Sequence, residues 1–181
     1  NTASGYEALT YNSDGNNNSA SGYEALWGNS HGSFNTATGA LSLNNNNTGQ
    51  YNTANGYDCL SGNFGGTYNT ASGYHALSSN TTGSHNTAFG VSSILTNVSG
   101  DYNTALGRNA YYLNSTLDNT TCLGYNSGGV VNASNRIEIG NTSVTWIGGQ
   151  VGWMTYSDAR IKDNVKEDVP GLVFISKLHP V

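Results

Sequence analysis

Residues 1–9 read NTASGYEAL, and the phrase returns as NSASGYEAL at Asn18, NTATGALSL at Asn35, NTANGYDCL at Asn52 and NTASGYHAL at Asn69. The step between copies is 17 residues. Gly5, Gly22, Gly39, Gly56, Gly73, Gly90, Gly107 and Gly124 keep that step without a slip, which is the mark of stacked structural units. Counting each unit from its first Asn, position 1 is Asn from Asn1 to Asn103, position 2 is Thr or Ser from Thr2 to Thr121, and position 3 is Ala until Cys122. Position 8 is always Ala, Ser or Cys, and position 9 runs Leu9, Leu26, Leu43, Leu60, Leu77, Ile94. A second glycine series, Gly15, Gly32, Gly49, Gly66, Gly83 and Gly100, marks a return turn.

A helical repeat needs apolar residues at i, i+3 and i+4, and these units lack them. Short alternating runs that end in glycine suit strands joined by tight turns. One unit per turn of a parallel β-solenoid accounts for the whole pattern. Each residue then lies on its own copy at ~4.8 Å per rung, so a column must tolerate itself. Asn and Thr form ladders in such a column, whereas stacked like charges repel. Charged residues accordingly make up only 9% of the chain, against about 25% in ordinary soluble domains. A coil this thin has an interior for Ala, Ser, Cys and one Leu. No proline interrupts the repeats, as a rung hydrogen bond would be lost there. Eight rungs stand roughly 38 Å tall.

The net charge of −5 with six Lys and Arg leaves no basic footprint for nucleic acid or an anionic membrane. No apolar run is long enough to span a bilayer, and no signal peptide is visible. The first residue opens a repeat, so the chain reads as part of a longer protein, and a missing export signal carries no weight for location. A thin coil buries little apolar area, and self-association is the usual remedy. Tyr6, Tyr23, Tyr57, Tyr74 and Tyr125 share one column, and Phe34, Tyr51, Tyr68 and Tyr102 another. Part of this aromatic surface is expected to be covered by identical chains.

Repeats of the form NTAxGxxAL with a Gly-rich return resemble the heads of YadA-like trimeric autotransporter adhesins, over residues 1 to about 128. The unit here is longer than is usual in those heads. The resemblance implies a left-handed parallel β-roll, with three chains packed around one axis. Composition changes after Gly128-Gly129: Trp146, Val151 and Trp153 cluster, and all lysines and prolines lie at or after Lys162. The stretch SDARIK, Ser157 to Lys162, looks like the start of the endosialidase-type intramolecular chaperone, an autoproteolytic α/β domain found behind phage tailspikes and bacterial surface fibres. The division expected is therefore a β-roll head over 1–128, a neck over 129–156, and the truncated start of a chaperone over 157–181.

In that chaperone family the bond after the motif serine is cut with help from a lysine five residues on. The resemblance makes Ser157 the nucleophile, Ser157–Asp158 the scissile bond and Lys162 the assisting base, an amine able to take the hydroxyl proton. No cleavage is expected in this chain, since the rest of that domain is absent, and the protein is not read as an enzyme.

Cys59 and Cys122 occupy columns of small inward residues, four rungs apart and beyond disulfide reach. Both read as buried thiols. His31, His75, His85 and His179 are read as surface or packed histidines in different columns, with no metal site and no cofactor. Asn-X-Ser/Thr sequons follow from composition. The Thr column lacks the second Thr rank of an ice-binding face. The tyrosines Tyr6, Tyr23, Tyr57 and Tyr74, with Trp27, offer apolar faces with polar tips that suit a glycan, although packing of a seam or of neighbouring rungs is the stronger reading.

The expectation is a homotrimeric fibre or adhesin head, extracellular at a cell surface or on a virion tail fibre, presenting a surface to a cell-surface glycan or protein receptor. No nucleic acid and no membrane insertion enter that reading. A phage receptor-binding fibre segment is the alternative. A glycan depolymerase is the second, and it needs a groove with paired carboxylates, whereas Glu7, Asp14, Glu24, Asp58 and Asp101 look isolated.

Overall fold

The structure, a computed structural model, describes residues 1–111, 115–129 and 133–148. Nine short strands follow in order: β1 Thr2–Ser4, β2 Ser19–Ser21, β3 Thr36–Thr38, β4 Thr53–Asn55, β5 Thr70–Ser72, β6 Thr87–Phe89, β7 Thr104–Leu106, β8 Thr120–Leu123 and β9 Arg136–Ile139. All lie in one parallel sheet, each strand pairing only with its neighbours in sequence. Ala3 faces Ala20, Ala20 faces Ala37, and the register continues to Ala105 opposite Cys122. The chain is therefore an all-β parallel solenoid, with no helix among the described residues.

The sheet also runs past the boundary expected at residue 128. Strand β9 pairs Thr120 with Arg136, a step one residue short of the repeat, which hid this strand from a reading based on a constant period. The solenoid over residues 1–144 is one compact unit. The proposed neck lies partly, and the chaperone start at 157–181 wholly, outside the described residues.

Rung-to-rung hydrogen bonds do not stop at the strands. The corner residues Glu24, Leu26 and Gly28 donate their amides to Tyr6 O at 2.8 Å, Ser42 O at 2.9 Å and Asn44 O at 2.7 Å. Bonding at the corners needs an unusual backbone. Positions 7, 9 and 17 are left-handed in rung after rung, as at Glu24 (φ 50), Leu26 (φ 53) and Phe34 (φ 60), and even β-branched Ile94 adopts φ 49. A left-handed residue costs roughly 1–2 kcal/mol, while burying a Leu side chain contributes roughly 1.5–3 kcal/mol. The two nearly cancel, so the corner persists because its amides find partners on the next rung.

Gly5 through Gly107 have φ between 122 and 141, and a Cβ there would lie 2.3–2.6 Å from the carbonyl oxygen of the glycine one rung on. This column has no substitute for glycine. The second glycine series is needed for a different reason. At Gly32 a Cβ would meet Asn29 Oδ1 at 2.3 Å, Asn46 Nδ2 at 2.4 Å and Gly49 O at 2.5 Å. Space, rather than turn conformation, is what these glycines supply.

The interior holds more than the expected Ala, Ser, Cys and Leu. Two columns of asparagine are buried in it, at position 1 (Asn18 to Asn103) and position 12 (Asn29 to Asn97). Asn18 Nδ2 donates to Gly32 O at 2.7 Å, and Asn29 Nδ2 donates to the same oxygen at 2.8 Å. Asn18 Oδ1 accepts the Asn35 amide at 2.9 Å, and Asn29 Oδ1 accepts Asn46 Nδ2 at 2.6 Å. Each rung is thus bridged across its width and tied to the next rung twice. A buried amide without partners costs roughly 1–3 kcal/mol; here the ladders satisfy the amides they bury.

The last full rungs vary this scheme. Leu117 stands where earlier rungs have glycine, and buried Tyr111 stands where they have Leu. The Tyr111 hydroxyl donates to Leu117 O at 3.0 Å and Asn103 Nδ2 donates to the same oxygen at 2.7 Å. One phenol thereby serves the carbonyl that a position 12 asparagine serves below it, and burial pushes that phenol up to about 12. Cys59 and Cys122 are free, buried thiols, held at about 12 and about 11 by burial.

Candidate binding surface

Side chains that leave the coil form ladders as regular as those inside it. At position 17 the left-handed backbone directs Phe34, Tyr51, Tyr68, His85 and Tyr102 outward, all exposed. Their rings stack with successive centroids 4.9 Å apart and planes within 2–10° of parallel. His85 fills the fourth place of this column, a role the sequence reading missed although its number keeps the register. Only the outer faces of Phe34 and Tyr102 are not covered by another ring of the ladder. A sugar docks its C–H face on a ring face, so the middle of this ladder offers it edges alone.

The position 6 column is broken. Tyr6 stacks on Tyr23 at 5.4 Å and Tyr57 on Tyr74 at 5.3 Å. Between the pairs the column holds Ala40, whose neighbour Leu41 bonds Tyr23 O at 2.9 Å and whose own carbonyl accepts the Asp58 amide at 3.0 Å. The four tyrosines singled out in the sequence thus form two pairs instead of one array, each ring about half exposed. Tyr125 lies exposed in the same column further along.

Trp27 joins a separate cluster. Its ring meets Tyr11 edge-on at 4.5 Å, and its Nε1 donates to Glu7 Oε2 at 3.1 Å. Glu7 and Glu24 occupy adjacent rungs of one column, so they are not isolated as the sequence suggested. Both are engaged: Glu7 Oε2 accepts from Trp27 Nε1, and Glu24 Oε2 accepts from Asn44 Nδ2 at 3.4 Å. Those carboxylates hold the Tyr6 and Tyr23 phenols above their ordinary value. Asp58 pairs with His75 at 2.9 Å, and Asp14 with His31 at 2.5 Å.

The outer sheet face carries a third feature. Its last strand column is polar at first, with Ser4, Ser21, Thr38, Asn55 and Ser72, and then becomes Phe89, Leu106, Leu123 and Ile139. Phe89, Leu106 and Ile139 are 43%, 56% and 40% exposed, and Ile137 beside them is 72% exposed. Two hollows open near this end, of about 460 Å³ by Asn119, Thr121 and Arg136 and about 230 Å³ by Tyr125 and Asn141; neither is lined by a carboxylate. Among the described residues no group of three or more His, Cys, Asp or Glu is placed to hold a metal ion, and no helix is long and apolar enough to cross a membrane. Ser157 and Lys162 lie outside the described residues.

Comparison of the chain with protein-family models, with curated proteins and with solved structures finds no match.

Proposed function

We propose that this chain is the head or tip segment of a homotrimeric surface fibre, an adhesin whose work is to project and attach. The observation that carries the reading is the apolar column Phe89–Leu106–Leu123–Ile139, with Ile137 beside it, on a sheet face that is polar over β1 to β5. A contiguous exposed apolar strip of this kind marks an interaction site. It lies on paired parallel strands, whose side chains a second copy could meet. The number three comes from the resemblance of the NTAxGxxAL repeats to trimeric adhesin heads. The stacked, doubly laddered interior suits a stiff spacer, and the exposed aromatic columns suit contact with a receptor or glycan at a cell surface or on a virion fibre. In this reading a C-terminal chaperone domain would hold three chains in register while the long-range parallel pairs form, which is the slow step for such a topology.

Sedimentation equilibrium of the chain tests it. The expected mass is three times the 19.0 kDa of one chain, and a species at 19.0 kDa across the micromolar range would sink the reading. A glycan array probed with the same sample then separates a binder, which is retained, from an inert spacer.

A further inference from the structure

We propose that the gap in the tyrosine column, walled by Tyr23 and Tyr57 and floored by Ala40, binds a compact alkylammonium group. The site would give the attachment surface a ligand class, and it rests on that column staying open to solvent in the assembled fibre. Tyr23 stacks on Tyr6, and Tyr57 on Tyr74, with interplanar angles of 8° and 13°. Within each pair the rings are parallel, and along the column the Ala40 rung alone stands between Tyr23 and Tyr57. Ala40 has no ring to fill that space, and Tyr23 and Tyr57 are 50% and 45% exposed.

Distance and charge select the guest. Two rungs separate the walls by about 10 Å. A cation midway sits about 5 Å from each centroid, within the ~6 Å over which a ring face attracts it. A planar aromatic guest needs contact at about 3.5–4 Å, so it would reach only one wall. The flanking residues in the next column are Glu24 and Asp58, on either side of Leu41. Residues 1–107 contain acidic groups but neither Lys nor Arg; only histidines bring positive charge, and His75 is already against Asp58 at 2.9 Å. The field at the slot is negative, which favours an ammonium over a neutral sugar of similar thickness.

Isothermal titration with choline, against its neutral carbon isostere 3,3-dimethylbutanol, tests the charge requirement. Glucosamine against N-acetylglucosamine repeats the comparison for an ammonium carried on a sugar, and so distinguishes a free small cation from a polymer-borne one. Binding about tenfold tighter for either cation than for its neutral partner is expected. Ala40→Tyr restores the residue that most rungs carry and closes the slot without touching the interior, so it should abolish binding while leaving the circular dichroism spectrum unchanged. Tyr57→Leu should weaken binding about tenfold. Equal binding of cation and neutral partner, or undiminished binding by Ala40→Tyr, overturns the proposal. Sedimentation of the same samples separates the two readings: a trimer that ignores ammonium ions sinks the slot alone, and a monomer that binds them sinks the assembly alone.

Discussion

The rungs of β1–β5 and those of β6–β9 share one backbone but face solvent differently. Inside, β1 to β7 are nearly the same, with Ala at the strand centre, asparagine at position 1, and Leu giving way to Ile94 and Tyr111 at the corner, while β8 and β9 bring Thr120, Cys122 and Glu138 onto the inner columns. Outside, Ser4, Ser21, Thr38, Asn55 and Ser72 give way to Phe89, Leu106, Leu123 and Ile139 on the same line of the sheet. Inner columns are held constant because each residue packs on its own copy above and below, and a change in one rung disturbs two others. Outer columns answer only to what they touch. The contrast teaches that the columns that build the coil and the columns left to solvent vary separately, and that the C-terminal rungs carry the apolar strip on which the proposed assembly rests.

The largest effect should come from the glycines common to both regions. Gly56→Ala and Gly107→Ala each drive a Cβ into backbone one rung away, at 2.5 and 2.6 Å. Each should cost about 3 kcal/mol or more, the size of a severe backbone conflict, and the two should be equal in chemical denaturation. Unequal losses would show that the regions differ inside as well as out. Next come the asparagine ladders. Asn46→Asp keeps the shape but removes the donor to Asn29 Oδ1 and Gly49 O, leaving buried acceptors facing a third oxygen. A loss of about 2–4 kcal/mol follows from two unmade buried hydrogen bonds, and Asn97→Asp in the other region should match it. A loss below 1 kcal/mol would mean that water reaches the ladder.

A smaller stability effect with a larger change of state is expected outside. If the proposed trimer forms, Leu106→Ser should dissociate it in sedimentation experiments while changing monomer stability by about 0.5 kcal/mol or less. The opposite change on the polar half, Ser21→Leu, should leave the mass as it was. Removing the middle ring of the five-ring ladder, Tyr68→Ala, breaks two stacked pairs and should cost about 1–3 kcal/mol in thermal unfolding, without altering the oligomeric state.

The thiols give the finest comparison. Burial raises both above the ordinary 9, Cys59 to about 12 and Cys122 to about 11. A folded value above the unfolded one means that the stability from keeping the thiol neutral is complete below pH 9 and is lost as pH rises through the folded value. Stability should therefore decline from pH 9 upward, with the contribution of Cys122 gone nearer pH 11 and that of Cys59 nearer pH 12. Iodoacetamide at pH 8 should leave both unmodified until the chain is unfolded; rapid labelling of native Cys59 would contradict its buried place.

Much of the fold is legible in the residue order because a solenoid turns sequence period directly into spatial neighbourhood. The eight glycines from Gly5 to Gly124 announce the register, the small residues at positions 3 and 8 announce inward columns, and the scarcity of charge announces stacking. The position 12 asparagines keep the same step and could have been found by the same count. That Asn29, Asn46 and Asn63 point inward could not, because the corners run through left-handed residues where side chains no longer alternate as they do along a strand. His85 keeps the register of the tyrosines and could have been found by the same count, whereas a step one residue short hid β9. Period, parallel order and the need for glycine thus belong to the sequence alone, since each follows from a residue meeting its own copy. That the position 12 asparagines face the interior and which outer rings stack were decided only in three dimensions, by the direction each corner gives to its side chains.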